Sequence, residues 1–345
     1  MKILYYAPYS FSLKNQLPLN KAPRIRQYSI YHALIKDHDL YCISGDYEER
    51  KDAVLRFFKE EDITKYDGMY CESHNWPLKI LDYKFFKFCK GKIPMTIFYR
   101  DCYWKTNDYL KKPSFNKIQS YIRFKIEYLI FARYFNLFFV PTKLFSEFCG
   151  IKNYSILQPA GIVRKIAPKE YNDGIFRILF AGNMKKGCEI IFDIMKRMLQ
   201  KNTKIELHIF STDAPEINIQ NVFFHRTSLQ DNKRLISKCH VGLIPHEKIE
   251  YLDLAFPLKI MDYLSYGLPV ISTNTLEVEN FLRIHNVGVA VEHDVESYVK
   301  AIEFFIENKD YFIELSKNAL ELIKTTENWD NRVERITNVL RELKK

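Results

Sequence analysis

The segment "FPLKIMDYLSYGLPVIST" (residues 256–273) carries the strongest fold signal in the chain. Pro257 precedes a helix-like stretch, Gly267 ends it, and a short apolar run typical of a buried strand follows. Lys259 lies in the first turn, where a cation is unfavourable unless an anion is close to it. Asp262 follows one turn later on the same face. The pattern predicts a helix that begins at a bound anion; the alternative is that both charges are merely solvated on a surface helix.

Short apolar runs alternate with helix-like stretches along the whole chain. This alternation predicts parallel sheets with helices on both faces. We therefore expect an α/β protein of two Rossmann-like, doubly wound domains facing a cleft, with ligands at the carboxyl ends of the strands. A segment with Pro, Gly and charges at 157–174 is the predicted linker. The predicted strands cover 2–6, 40–44, 68–72, 95–99, 137–142, 176–182, 205–210, 241–245, 269–273 and 287–291; the predicted helices cover about 24–36, 187–200, 228–239 and 257–267, and the chain after 291 is predicted to be mainly helical.

Cysteine usage and hydropathy bear on the compartment. The seven cysteines are scattered and form no CxxC pair, which favours reduced thiols in a cytosol. The apolar run at the N-terminus is too short for a signal peptide and is typical of a first strand. Residues 128–140 are too few to span a bilayer and include Arg133. We therefore expect a cytoplasmic protein.

The positive charge is concentrated in one half of the chain. Residues 1–170 contain 29 Lys and Arg against 17 Asp and Glu, a net charge of +12, whereas the rest carries −2. The first half is therefore expected to face something anionic. Residues 110–135 hold six cations and one acid, and their aromatic and aliphatic residues recur at helical spacing, so this stretch suits contact with anionic lipid at the inner face of the cell membrane. Together with 17–28, it suits an acceptor carried on lipid diphosphate. The alternative for 120–135 is a packed helix with a solvated basic face; no nucleic-acid-binding module appears, and nucleic acid is not an expected partner.

Five segments, in order, resemble those of GT-B glycosyltransferases with a group 1 or family 4 type of nucleotide domain. They are "LQPAGIV", "ILFAGNMKKG", "VGLIPH", the 256–273 segment and "NWDNRVERI". The resemblance implies an acceptor-binding domain at 1–160, joined by a C-terminal helix at 330–345, and a nucleotide-sugar-binding domain at 161–329. The family's E-x7-E pattern is incomplete, because Leu254 replaces the first Glu and Asp262 the second. The form "LKIMDY" is closer to inverting glucuronosyltransferases of bacterial polysaccharide synthesis.

The resemblance also implies roles for residues on the donor side. Lys259 would hold the diphosphate, and Asp262 would accept hydrogen bonds from two ribose hydroxyls. Positive groups would stabilise the leaving diphosphate, so that no divalent metal and no other cofactor is required. The "DHD" at 37–39 lies at the sheet end expected to point away from ligands. The complete predicted donor set is Gly182, Asn183, Lys185, Lys186, Arg226, Pro245, His246, Phe256, Pro257, Leu258, Lys259 and Asp262.

Inverting transfer needs a base in the first domain to take the proton of the attacking hydroxyl. Asp101, just past a predicted strand, is the first candidate, with Glu72 and His74 in reserve. The alternative for Asp101 is a structural pair with Arg100. The predicted acceptor contacts are Arg24, Arg26, Arg100 and Trp104.

These observations predict an enzyme that moves a sugar from a nucleotide donor to a glycan or lipid-linked acceptor in surface polysaccharide synthesis. UDP is favoured as the nucleotide by the resemblance alone. Two alternatives stay open, since a fold does not identify an activity. One is a sugar-nucleotide epimerase of the same architecture, which would need no acceptor. The other is a non-catalytic nucleotide-binding subunit.

Overall fold

The computed structural model describes most of the chain. The described residues are 1–8, 22–73, 78–106, 109, 111, 114–169, 173–184, 187–201, 204–211, 218–227 and 229–345. They divide into two compact units. The first unit holds residues 1–158 and 329–345, and the second holds 159–328.

The first unit contains a six-stranded parallel sheet with strand order β2-β1-β3-β4-β5-β6. Its central strands β1, β3 and β4 are almost wholly buried, as expected of parallel strands covered on both faces. The strands are β1 (Lys2–Ala7), β2 (Asp39–Ser44), β3 (Gly68–Glu72), β4 (Met95–Phe98), β5 (Leu137–Val140) and β6 (Tyr154–Ile156). The helices before the linker are α1 (Ala22–Leu34), α2 (Tyr47–Glu60), α3 (Ile80–Cys89), α4 (Phe115–Tyr134) and α5 (Lys143–Cys149).

The second unit repeats the plan with a six-stranded parallel sheet of order β12-β11-β10-β7-β8-β9. The strands are β7 (Phe176–Ala181), β8 (Ile205–Phe210), β9 (Val222–His225), β10 (Val241–Ile244), β11 (Val270–Thr273) and β12 (Gly288–Val291). The helices are α6 (Ile190–Lys201), α7 (Lys233–Ile236), α8 (Glu250–Asp253), α9 (Leu258–Leu264), α10 (Leu276–His285), α11 (Val295–Glu307) and α12 (Lys309–Thr325).

The last helix, α13 (Trp329–Lys344), belongs to the first unit. Near its start, Asp330 pairs with Lys36 at the end of α1 at 2.5 Å. Arg332 donates a hydrogen bond of 2.9 Å from Nε to the carbonyl of Gln158. These contacts attach the end of the chain to the unit in which the chain began.

The predicted α/β class with two doubly wound parallel sheets is confirmed. The edge strands β6 and β9 were not predicted, because they are short and only partly buried and lack a long apolar run. The predicted helix at 228–239 was wrong in extent, since its described part forms a short 3₁₀ turn and the four-residue α7. All seven cysteines carry free thiols. None of the helices in the described ranges has the length and apolar character needed to cross a bilayer.

Helix α9 is held against its sheet by Tyr263. The Tyr263 hydroxyl accepts a hydrogen bond of 2.8 Å from the Ala181 amide and donates one of 3.2 Å to the Leu243 carbonyl. It thereby joins the ends of β7 and β10. The ring occupies the space above Gly242, where any Cβ would overlap it. Gly242 is therefore required by close approach of the ring.

We expect Gly242→Ala to lower the free energy of unfolding by about 1–3 kcal/mol, because the added methyl group overpacks the Tyr263 site. Urea denaturation measures the change. In a Tyr263→Leu background the same substitution should cost much less, since the ring it meets is gone. An equal cost in both backgrounds would contradict the explanation.

Candidate functional site

The loop after β7 and the first turn of α9 meet at Lys259. A Cβ placed on Gly182 would overlap Nζ and Cε of Lys259, and Gly182 has a φ of +130°, which favours glycine. The Lys259 ammonium also lies 4.8 Å from the centre of the Phe180 ring. The half-buried Lys259 side chain therefore packs on the backbone of Gly182, at the carboxyl end of the central strand β7.

Asp262 lies one turn further along α9 and is half-buried. Burial raises its pKa from 3.8 to about 6, although the charges of Arg164 and Lys259 oppose the shift. Within the described ranges, no donor forms a hydrogen bond with its carboxylate. Asp262 is thus a carboxylate with cations near it and its acceptor positions unfilled, as a site for ligand hydroxyls requires.

Arg164 reaches this site from the linker and was missed from the sequence. The Ile162 amide donates a 2.9 Å hydrogen bond to Ser265 Oγ, and Gly161 permits the approach, because a Cβ there would lie 2.6 Å from that oxygen. The Arg164 guanidinium then stacks 4.1 Å from the centre of the Tyr266 ring. Within the described part of the chain, its Nε and the Tyr266 hydroxyl are buried and have no hydrogen-bond partner. Both groups are available to a ligand that reaches them.

The helical spacing of residues in the 256–273 segment was a signal that could have identified Tyr266 as a site residue. Lys259, Asp262 and Tyr266 follow a spacing of three and four and therefore lie along one face of the helical segment. No comparable local pattern indicates Arg164, because its contact with Tyr266 depends on how the linker crosses α9.

His293, another residue missed from the sequence, joins two loops of the predicted donor side. Its Nε2 lies 3.2 Å from the carbonyls of both Gly187 and Pro245, to which it donates. It follows β12, so a polar residue just past a strand was the available signal. The contact draws the loops after β7 and β10 together.

The other predicted donor residues are distributed as follows. Phe256 is buried against Phe281 at 4.8 Å, and Pro257 occupies the N-cap position of α9 before Leu258. His246 and Pro257 line a small pocket at the ends of β10 and β11. Asn183 is exposed beside Gly182. Arg226 is exposed after the edge strand β9, which lies two strands away from β7. Lys185 and Lys186 lie outside the described residues.

In the first unit, Glu72 and Arg26 form a buried ion pair at the end of β3. Arg26 Nε lies 3.2 Å from Glu72 Oε1, to which the Tyr70 hydroxyl also donates at 2.5 Å. Arg26 further stacks 3.4 Å from the centre of the Phe98 ring. Burial raises the pKa of Glu72 despite the nearby cation and hydrogen bonds. The predicted reserve base and the predicted acceptor contact are thus bound to each other.

Asp101 and Arg100 lie beside this pair, at the end of β4. Arg100 Nε and Asp101 Oδ2 are 2.6 Å apart, and both side chains are partly exposed. The Arg100 amide donates to Ser73 Oγ at 3.1 Å, which connects the ends of β3 and β4. The structure therefore brings Glu72 and Asp101 to one sheet edge, and the structural pairing of Asp101 with Arg100 is present.

The remaining first-unit predictions are placed differently. Trp104 is 5% exposed and donates from Nε1 to the Tyr99 hydroxyl at 3.2 Å, so it packs inside the unit. Arg24 is half-buried on α1, and His74 lies outside the described residues. The acceptor roles of these side chains stay predictions. Over the described ranges, no group of three His, Cys, Asp or Glu side chains has an arrangement that could hold a metal ion.

The geometry of the second unit agrees with a family comparison. The model of the family "Glycosyl transferases group 1" matches residues 175–308, from β7 to the end of α11. This segment is similar to the domains that this family model describes. It contains Gly182, Lys259 and Asp262, although Arg164 lies before it.

Several solved structures resemble the whole chain in fold. Sucrose-phosphate synthase from Thermosynechococcus elongatus superposes with a TM-score of 0.72 at 10% identity, over 99% of both chains. HepE from Anabaena, solved in complex with UDP, superposes with a TM-score of 0.69 at 12% identity, over 99% of this chain and 100% of HepE. A putative UDP-N-acetylglucosamine 2-epimerase from Listeria monocytogenes gives 0.53 at 10% identity, over 99% and 96%. The predicted GT-B fold and the recognition of a glycosyltransferase are confirmed.

In the glycosyltransferase domain, we expect Asp262→Asn to stabilise the ligand-free protein at pH 7.5 by about 1–3 kcal/mol. Asp262 has a pKa of about 6 in the folded state and 3.8 as its ordinary value, so between these pH values the folded state binds more protons than the unfolded state. The ionised carboxylate therefore lowers the free energy of unfolding as the pH rises. Urea denaturation at pH 7.5 and at pH 4.5 measures the difference, which should be smaller at pH 4.5. A variant that is less stable than the wild type at pH 7.5 would contradict the assigned burial.

Proposed function

We propose that this glycosyltransferase moves a sugar from a UDP-sugar to a hydroxyl of a glycan or lipid-linked acceptor, with inversion and without a divalent metal. The proposal is carried by two neighbouring features of α9: Lys259 packs against Gly182, and the Asp262 carboxylate one turn later has its acceptor positions unfilled. The UDP bound by HepE supports the choice of nucleotide. The motif resemblance to inverting enzymes of bacterial polysaccharide synthesis supports the pathway.

The donor would be bound along one face of α9. Lys259 lies against Gly182, whose amide already donates to the Phe210 carbonyl at 2.8 Å. The ammonium of Lys259 is therefore the group that would bind the diphosphate. Asp262 is within one turn and can accept hydrogen bonds from two ribose hydroxyls. At neutral pH a carboxyl group with a pKa of about 6 is mostly ionised, which is the form that binds them more strongly.

The transfer itself would need one proton acceptor and one charge stabiliser. Asp101 takes the proton of the acceptor hydroxyl while the hydroxyl oxygen forms a bond to the anomeric carbon of the donor sugar. The bond from that carbon to the β-phosphate oxygen breaks, and UDP leaves with the bonding electrons. Lys259 stabilises the negative charge that develops on the diphosphate, a function that a divalent metal serves in other enzymes.

Asp101 is preferred to Glu72 because of its surroundings. Glu72 is 4% exposed and bonded to Arg26 and Tyr70, whereas the Asp101 side chain is 18% exposed. The Asp101 carboxylate is therefore the more accessible of the two to an acceptor hydroxyl. The +12 charge of residues 1–170 supports an anionic, lipid-diphosphate-borne acceptor at the inner face of the cell membrane.

We expect Lys259→Ala to weaken UDP binding by about 10- to 100-fold, the effect of losing one charge-assisted hydrogen bond or ion pair. Thermal shift with UDP and UDP-sugars measures it. Lys317→Ala, which removes an exposed lysine from α12, is the matched control and should respond like the wild type. The donor site is wrong if no nucleotide stabilises the wild type, or if Lys259→Ala responds equally well.

We expect Asp101→Asn to lower sugar transfer by about 10²- to 10⁴-fold while UDP binding is unchanged, because the amide cannot accept the proton. Product formation from a UDP-sugar and glycan acceptors measures the loss. Asp52→Asn, an exposed aspartate on α2, is the control. Epimerised donor without any acceptor product would identify an epimerase, and UDP binding with neither reaction would identify a binding subunit.

A further inference from the structure

The helix α4 exposes a continuous apolar stripe to solvent. Its five large side chains repeat at intervals of three or four residues and therefore lie on one face. We define the α4 stripe as Phe115 (81% exposed), Ile118 (45%), Ile122 (52%), Ile126 (52%) and Leu129 (59%). Contiguous exposed apolar surface of this kind marks an interaction site in a water-soluble fold.

The α4 stripe is not the face that packs on the unit. Phe124 and Phe131 are buried on the opposite side, and they contact Trp104 and Phe135 respectively. A surface helix normally has one apolar face, directed to the core, and a polar one. Because α4 has two, its core packing does not explain the exposed one. The sequence-based alternative for 120–135, a packed helix with a solvated basic face, does not account for these exposed apolar side chains.

The charges that border the α4 stripe are positive. Lys125 and Arg133 are exposed on α4, whereas its single acid, Glu127, is 4% exposed and accepts a hydrogen bond of 3.2 Å from the Leu78 amide. On the neighbouring segment, Lys90 Nζ lies 5.4 Å from the centre of the Tyr134 ring. The surface thus combines apolar side chains with cations and has no exposed carboxylate on α4.

We propose that the α4 stripe is the surface by which this protein docks on an anionic lipid bilayer. Apolar side chains of an interfacial helix enter the boundary between head groups and acyl chains, and flanking cations contact the anionic head groups. A second copy of this chain fits less well, because like charges would meet in a symmetric interface of two such helices. The proposal rests on the lipid-linked acceptor of the proposed function.

The helix that carries the α4 stripe contacts the proposed catalytic loop through its opposite, buried face. Trp104 packs against Tyr121 and Phe124 of α4 at ring distances of 5.7 and 6.5 Å, three residues after Asp101. The first half of α4 therefore supports the segment that carries the proposed base. A bilayer in contact with the α4 stripe would keep a lipid-borne acceptor near that segment.

Sedimentation with vesicles of phosphatidylcholine, with and without phosphatidylglycerol, tests the proposal on the full chain. We expect the wild type to bind the anionic vesicles. Ile122→Glu/Ile126→Glu should bind them at least about tenfold more weakly. Leu276→Glu/Ile284→Glu adds the same charge at two exposed positions of α10 and should lose much less. Lys125→Gln/Arg133→Gln should lose binding to anionic vesicles by about tenfold and remove its salt dependence in part.

The same samples separate this inference from the proposed function. Retained stabilisation by UDP shows that Ile122→Glu/Ile126→Glu and Lys125→Gln/Arg133→Gln are folded, so that their loss of vesicle binding supports docking. If the wild type binds vesicles but no nucleotide stabilises it, the donor assignment is wrong and the docking proposal is still supported. Equal vesicle binding by the wild type, Ile122→Glu/Ile126→Glu and Lys125→Gln/Arg133→Gln would overturn the docking proposal. A wild-type dimer that binds no vesicles and that Ile122→Glu/Ile126→Glu converts to monomers would overturn it too.

Discussion

The seating of Tyr263 in the space left by Gly242 is the constraint on which the candidate donor site depends. Its hydroxyl joins the Ala181 amide to the Leu243 carbonyl, so α9 is registered against two central strands at once. Lys259 and Asp262 precede Tyr263 on the same short helix and are positioned with it. A buried ring that makes two hydrogen bonds tolerates little displacement, because packing and bond geometry would both be lost. The site is therefore preorganised by the core beneath it.

The two units treat their buried charges in opposite ways. In the first unit, Arg26 and Glu72 satisfy each other, with Tyr70 completing the network. Such a pair neutralises itself and resists disruption, because removing one partner leaves a buried charge. In the second unit, Asp262 has cations near it but no hydrogen-bond donor within the described part of the chain. An unfilled carboxylate in a preorganised site is unfavourable for stability and favourable for ligand binding, which is typical of functional sites.

Helix α4 extends this contrast to the surface. Phe124 and Phe131 serve the core, and the α4 stripe (Phe115, Ile118, Ile122, Ile126 and Leu129) is directed to solvent. One helix thus connects the interior that supports Asp101 with a basic, apolar exterior. For a transferase whose acceptor is carried on lipid, this arrangement would couple the position of the acceptor to the position of the base. The concentration of positive charge in residues 1–170 agrees with that role.

The sequence by itself determined the α/β class, ten of the strands and the helix around Lys259 and Asp262, because apolar periodicity and the Pro and Gly signals act over a few neighbouring residues. It missed the edge strands β6 and β9, which are three and four residues long and not fully buried. Only the tertiary structure decided that Arg26 and Glu72 pair and that Arg164 stacks on Tyr266. Such contacts join residues as far apart as Ile162 and Ser265, 103 positions along the chain. They arise from the crossing of elements, and no local pattern encodes where two elements cross.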